Sequence, residues 1–271
     1  MIISLSGHMK SGKDTVAQMI QLLDAGYIDK EPLIAIQEND NIDGQSKWQI
    51  KKFAYKVKEV ASILTGIPVK DLDKQEVKEQ ILGKEWQYKR VYDANWDKTW
   101  DIMPVTYQAV GKEDEIKSYT VRKLLQRIGT EAIRNQIHPN AWVNALFADY
   151  IEVIDCSPNP ARTAGINVRS QGYPNWIITD TRFPNEVNAI KDRNGILIRI
   201  NRDWRLSAVT DLENGGTAND FIDDQLNKIN EHPSETALDD YKDWNHVIDN
   251  NGSLEDLLVK VKEIYNQIKK R

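Results

Sequence analysis

The sequence predicts an α/β protein, a three-layer sandwich whose parallel sheet is covered on both faces by helices and which carries a lid-like insertion. Three observations lead there. Short apolar runs of strand length alternate with helical apolar periodicity along the chain, the pattern of strands joined by helical crossovers. A glycine-rich turn links the first such run to the first helix. An aspartate closes another run at its carboxyl end, the edge where open α/β sheets take their ligands.

The elements follow in order. Ile2, Ile3 and Leu5 make a buried strand, residues 7–12 a turn, and Val16, Met19, Ile20 and Leu23 recur at helical spacing until Gly26. Residues 38–44 are a polar loop, 48–53 alternate like a strand, and 54–64 form a helix ended by Gly66 and Pro68. At about 69–118 the periodicity weakens and Lys, Glu and scattered Trp dominate, which reads as an insertion, part helix and part loop. A long helix is expected over 120–136, through Val121, Leu124, Leu125, Ile128, Ala132 and Ile133, and another from Pro139 through Trp142, Leu146 and Tyr150. The Pro-, Gly- and Arg-rich stretch at about 157–173 reads as a mobile loop. Residues 176–178 make a buried strand, 184–193 a helix and 196–200 a strand, while 201–231 is polar without clear periodicity. A strand over 246–248, a turn over 250–252 and a terminal helix capped by Ser253 complete the chain.

At 271 residues this is the upper range of one globular domain, so a single domain over 1–271 is expected, with its insertion at about 69–118. Lys and Arg number 36 against 41 Asp and Glu, a net charge of −5. That balance excludes a whole-surface positive field for gripping a nucleic-acid backbone, but it allows a local basic cleft for a small phosphate ligand. Cys156 is alone, which excludes an internal disulfide, and the 4 His residues show no zinc spacing. No stretch approaches the ~20 apolar residues of a membrane span. The apolar run at residues 1–5 is too short for a secretory signal, so a cytoplasmic location without membrane attachment is expected.

Gly7-His8-Met9-Lys10-Ser11-Gly12-Lys13 satisfies the first seven positions of a phosphate-binding loop. Its glycines let backbone amides turn toward an anion, the following helix adds its positive end, and Lys13 supplies a mobile cation. Asp14 stands where Ser or Thr usually binds magnesium, and Thr15 comes one place later. A carboxylate there offers the oxygen that Mg²⁺ prefers, or it complements the helix dipole, or both. Asp180 ends the apolar run 176–178, placed to orient Mg²⁺ or to bind a substrate hydroxyl. Arg182 has the reach to offset charge on a transferring phosphoryl group, or it pairs with Glu186 four residues on. Arg122, Lys123, Arg127 and Arg134 read as a solvated helix face, and Trp142 as core.

With these residues in place, the chain resembles the bacteriophage deoxynucleoside monophosphate kinases, a branch of the P-loop kinases related to small-molecule kinases such as phosphomevalonate kinase. The most specific match is Leu5-Ser6-Gly7 through Ser11-Gly12-Lys13-Asp14-Thr15, since that family also carries Asp after the loop lysine. Further matches are Val121-Arg122-Lys123-Leu124 with Gln126, Gly129-Thr130-Glu131, Trp142-Val143 and Leu146-Phe147. Thr179-Asp180-Thr181-Arg182 with Glu186 is another. The last is His232 with Ser234-Glu235, then Val247-Ile248 and residues 250–254.

The resemblance implies transfer of phosphate from ATP, with Mg²⁺, to a deoxynucleoside monophosphate, for deoxynucleotide supply in DNA synthesis. It implies ATP on Gly7, Lys10, Ser11, Gly12, Lys13, Asp14 and Thr15, with Asn250 near the adenine. It places Arg122, Gly129, Thr130, Trp142, Asp180, Arg182 and Glu186 on the acceptor side, makes Lys13, Arg182 and Asp14 catalytic, and gives the metal Asp14 and Asp180. Lys58 is a further candidate for the acceptor phosphate. A homodimer agrees with the family, and the location would be the host cytoplasm for a viral chain. Two alternatives stay open: another P-loop small-molecule kinase of the phosphomevalonate-kinase type, and a nucleotide-binding protein that transfers nothing.

Overall fold

Five parallel strands make the main sheet, in the order β10-β9-β1-β8-β2. They are β1 (Ile2–Ser6), β2 (Trp48–Lys51), β8 (Asn175–Ile178), β9 (Ile196–Asn201) and β10 (His246–Asp249). The computed structural model describes residues 1–27, 29, 31–37, 45–93, 98–102, 115–158, 166–203 and 236–270. The polar stretches at 38–44 and 204–231, together with His232, Ser234 and Glu235, lie outside the described residues.

Alternation along each strand builds the layers. Ile3 and Leu5 of β1, Ile177 of β8, Ile196, Ile198 and Ile200 of β9 and Ile248 of β10 face one side. There they meet α1 (Lys13–Asp24), Leu33 of α2 (Glu31–Gln37) and the terminal helix α9 (Leu254–Lys269). Ile2, Trp176, Ile178 and Leu197 face the other side, against α7 (Ala141–Phe147) and α8 (Pro184–Lys191). Strands buried on both faces lose their polar alternation, which is why they read as short continuous apolar runs. The expected parallel sheet flanked by helices is what the chain forms.

The chain divides into two compact units, residues 1–53 with 143–271, and residues 54–142. The second holds α3 from residue 54 (α3 is Phe53–Thr65), α4 (Gln75–Glu79), α5 (Val121–Gln126) and α6 (Ile133–Gln136). It also holds an antiparallel sheet of β3 (Tyr88–Asp93), β4 (Lys98–Ile102) and β5 (Glu115–Lys117), in the order β4-β3-β5. Its own core gathers Ala61, Leu72, Tyr88, Tyr119, Val121, Leu124, Ile128 and Trp142.

Several expectations are corrected. The insertion at about 69–118 is not only helix and loop, since it contains those three strands. Part of the stretch read as a loop at about 157–173 pairs as the hairpin β6 (Val153–Pro158) and β7 (Ile166–Gly172). In both places the hydrogen-bond partner of each strand, not an apolar pattern, organises the backbone, so local composition misses it. The helix expected over 120–136 changes to π geometry at Arg127–Ala132. There the Gly129 carbonyl accepts a hydrogen bond from the Trp142 indole at 2.7 Å, a donor outside the helical ladder. β2 is shorter than the 48–53 alternation implies, because the Phe53 amide is taken by the Asp180 carboxylate at 2.8 Å and already opens α3. α7 opens at Ala141, two residues after Pro139, and the His138 ring accepts from the Asn140 amide in the turn before it.

Candidate nucleotide site

The site grows from the end of β1. Ser6 passes into Gly7, Lys10 adopts a left-handed φ of 61°, and Gly12 at φ 96° caps α1. Both glycines are required. A Cβ on Gly7 would run into the Ile200 carbonyl oxygen, and one on Gly12 would stand 2.6 Å from Asn250 Nδ2. The turn closes through the Ser11 amide, which donates to the His8 carbonyl at 3.2 Å. Lys13 Nζ lies inside it, donating to the carbonyls of Gly7 at 2.8 Å and His8 at 2.6 Å, with Ser11 Oγ at 3.4 Å. Burial first, then the Arg182 charge, push the Lys13 ammonium down to about 8, with Asp14 and Asp180 pulling the other way.

Asp14 opens α1 and is met by Lys52 Nζ at 2.9 Å. Burial pushes its carboxyl up, but the hydrogen bond and charge of Lys52, helped by Thr179 and Lys13, hold it below the usual carboxylate range. Thr15 is half-buried one place further. At the carboxyl end of β8, Asp180 anchors the start of α3 through the Phe53 amide. Thr181 beside it accepts from Ser4 Oγ on β1 at 2.7 Å. Glu186 is buried, and its Oε2 accepts from the backbone amides of Arg182 at 2.8 Å and Phe183 at 3.1 Å. It therefore braces the turn that presents Arg182. Asn250 is buried too, and its Nδ2 donates to the Ser11 carbonyl at 2.9 Å, latching the phosphate loop to the end of β10.

Within this unit the fold brings together Gly7, Lys10, Ser11, Gly12, Lys13, Asp14, Thr15, Asp180, Arg182, Glu186 and Asn250, all near the carboxyl ends of β1, β8 and β10. Arg122, Gly129, Thr130 and Trp142 belong to the other unit. There Arg122 pairs with Glu79 at 2.6 Å and reaches Gln75 at 3.1 Å. Gly129 and Thr130 sit in the π segment, and Trp142 is core with its indole on the Gly129 carbonyl. Lys58 is ion-paired with Asp73. Sequence reasoning missed Lys52 and Arg199. A charge inside the apolar run Ile196-Leu197-Ile198-Arg199-Ile200 was the available signal for the second.

A parallel sheet that ends in a glycine-turned cradle, with a lysine inside it and a helix dipole behind it, defines a P-loop nucleotide-binding protein. Comparison with known proteins narrows this. The chain matches the family described as deoxynucleotide monophosphate kinase over residues 1–261, and it belongs to that family. It is similar to the deoxynucleotide monophosphate kinase of Enterobacteria phage T4, 27% identical over 144 residues, which cover 53% of this chain and 44% of that one. It is also 27% identical over 156 residues to a putative deoxynucleotide monophosphate kinase of Acanthamoeba polyphaga mimivirus, covering 55% and 59% of the two chains. The chain thus spans about half the length of the curated relatives it matches.

Proposed function

We propose that this protein transfers the γ-phosphoryl group of ATP to a deoxynucleoside monophosphate, giving ADP and the diphosphate. The observation that carries the reading is the Lys13 ammonium, held inside the loop by carbonyl and hydroxyl oxygens that phosphate oxygens can replace. An oxygen of the acceptor phosphate attacks the γ-phosphorus in line, the bond to the β,γ-bridging oxygen breaks, and ADP leaves carrying that electron pair. The acceptor is already an anion, so no general base is needed. Lys13 and Arg182 offset the negative charge, loop amides hold the β-phosphate, and Glu186 keeps the Arg182 turn fixed.

The donor set fits Mg²⁺. Asp14 and Asp180 offer hard oxygens, and this ion is commonly held by one or two carboxylates together with substrate phosphates and water. When bound, Mg²⁺ withdraws charge from the phosphate oxygens; Asp14 and Asp180, with Thr15 as the alternative to Asp14, are the residues to hold it. Arg122, Gly129, Thr130 and Trp142 are assigned to acceptor recognition on the sequence resemblance, and a lid role for about 69–118 belongs to the same reading. A homodimer, the absence of nucleic-acid binding and a cytoplasmic site of action, the host's for a viral chain, are parts of it as well. Among the described residues no helix is long and apolar enough to cross a membrane.

The test is a coupled ADP-release assay with ATP and Mg²⁺, offering each deoxynucleoside monophosphate and phosphomevalonate in turn. Turnover on one or more deoxynucleotides is expected. Turnover on phosphomevalonate alone would replace the acceptor class, and ATP binding without turnover on any acceptor would leave a nucleotide-binding protein.

A further inference from the structure

Arg199 lies in β9 between Ile198 and Ile200 and is buried. Strand alternation puts it on the α7–α8 side of the sheet with Leu197, and its register partner on β1 is Ser6, the last residue before the phosphate loop. A guanidinium in such a place is costly unless its donors are met, and a strand that needed only to fill core would carry an aliphatic side chain there. Its contacts are specific. Nη1 donates to Ser6 Oγ at 3.3 Å, and Nη2 faces His8 Nε2 at 3.3 Å and Asp239 Oδ1 at 2.8 Å, while the Trp244 ring centre lies 5.7 Å from Cζ. His8 Nε2 also lies 3.2 Å from Asp239 Oδ1, so the carboxylate joins the guanidinium to the His8 ring.

His8 is the second residue of the loop, and its carbonyl is the one that accepts from both Lys13 and the Ser11 amide. The Arg199 fork therefore spans the last strand residue and the residue whose carbonyl closes the loop around the lysine. We propose that Arg199 is a positioning residue for the phosphate loop. It acts through Ser6 and His8 to hold the turn ready for the nucleotide, and Asp239 keeps the fork in place. This rests on the reading of the loop as an ATP site.

The test measures ATP–Mg²⁺ binding by calorimetry without acceptor, together with KM for ATP and for the deoxynucleotide and the melting temperature. The variants are Arg199→Met, Arg199→Lys, His8→Ala, Asp239→Asn and the Arg199→Met/His8→Ala pair. Loss of a charged, forked hydrogen-bond donor is expected to raise Kd and KM for ATP roughly tenfold in Arg199→Met, with the acceptor KM unchanged. Arg199→Lys keeps the charge but not the fork, and is expected to restore affinity only in part. The double variant is expected to bind no worse than Arg199→Met, because both changes remove one contact chain. Unchanged ATP affinity in folded Arg199→Met, an equal rise in both KM values, full rescue by lysine, or additive losses in the pair would each overturn the proposal. Should Arg199→Met not fold, half-exposed Asp239→Asn decides: an approximately threefold rise in ATP Kd supports the brace, and an unchanged Kd overturns it. Normal ATP binding without turnover in the unaltered protein would defeat the kinase reading alone, since the binding series needs no acceptor.

Discussion

Lys13 is the residue on which the chemistry is expected to turn most sharply. Lys13→Ala removes a preorganised cation from the transferring phosphoryl group, so kcat should fall roughly a hundredfold or more while the melting temperature holds. Coupled ADP release and a thermal melt check both halves of that expectation. The ammonium is also poised to titrate. Burial and the Arg182 charge bring it down to about 8, so it is mostly protonated at neutral pH and loses its proton in mildly alkaline solution. ATP needs the charged form, so its affinity should weaken as pH rises through about 8, and binding there should take up a proton. Calorimetry in two buffers of different ionisation enthalpy reads that uptake, and Lys13→Arg, which stays charged, should flatten the alkaline limb.

Element ends supply the tests of stability. Ser253 Oγ accepts from the Asp256 amide at 3.2 Å, while Asp256 Oδ2 accepts from the Ser253 amide at 3.0 Å, a reciprocal cap on α9. Ser253→Ala should cost about 1 kcal/mol in urea unfolding without touching ATP affinity. The end of α1 is held differently. Asp24 receives the Tyr265 hydroxyl at 2.6 Å, the Ser46 hydroxyl at 2.9 Å and the Lys47 amide at 2.9 Å, joining α1, the approach to β2 and α9. Burial pushes its carboxyl up, but these bonds and the Lys47 charge outweigh burial and leave it below the ordinary value. A depressed carboxyl contributes stability above its unfolded pKa of about 3.9, and loses it as pH falls toward the folded value. Asp24→Asn should therefore be less stable than the parent at pH 7, with the gap closing in acid. Urea midpoints at both pH values measure it.

At the scale of the whole molecule, what could be read in advance divides along sequence distance. The phosphate loop is legible because its parts are consecutive, and Gly12 sits at a left-handed φ of 96° that favours glycine. The strand before Asp180 is legible because burial on both faces leaves an apolar run of the right length. Glu186 is visible as an acid four residues past Arg182, but its bond to the backbone amides emerges only from the turn geometry. The partners of the braces are not legible, even where a charge inside an apolar run flags the residue, as at Arg199. Lys52, just past β2, meets Asp14 in the first turn of α1, Arg199 reaches back 191 residues to His8, and Asn250 reaches back 239 residues to Ser11. No local pattern announces a partner so far away, because only the sheet order brings the two together.

The Asn250 latch has a consequence for how the protein comes into being. β1 lies in the middle of the sheet, between β8 and β9, so it waits for neighbours made much later. The loop that follows it waits longer, for a side chain 239 residues on to close on the Ser11 carbonyl. A nascent chain short of residue 250 carries every phosphate-loop residue and still lacks the clasp that shapes them. The loop thus takes its final shape long after its own residues are made, and copies cut short before residue 250 lack that shape.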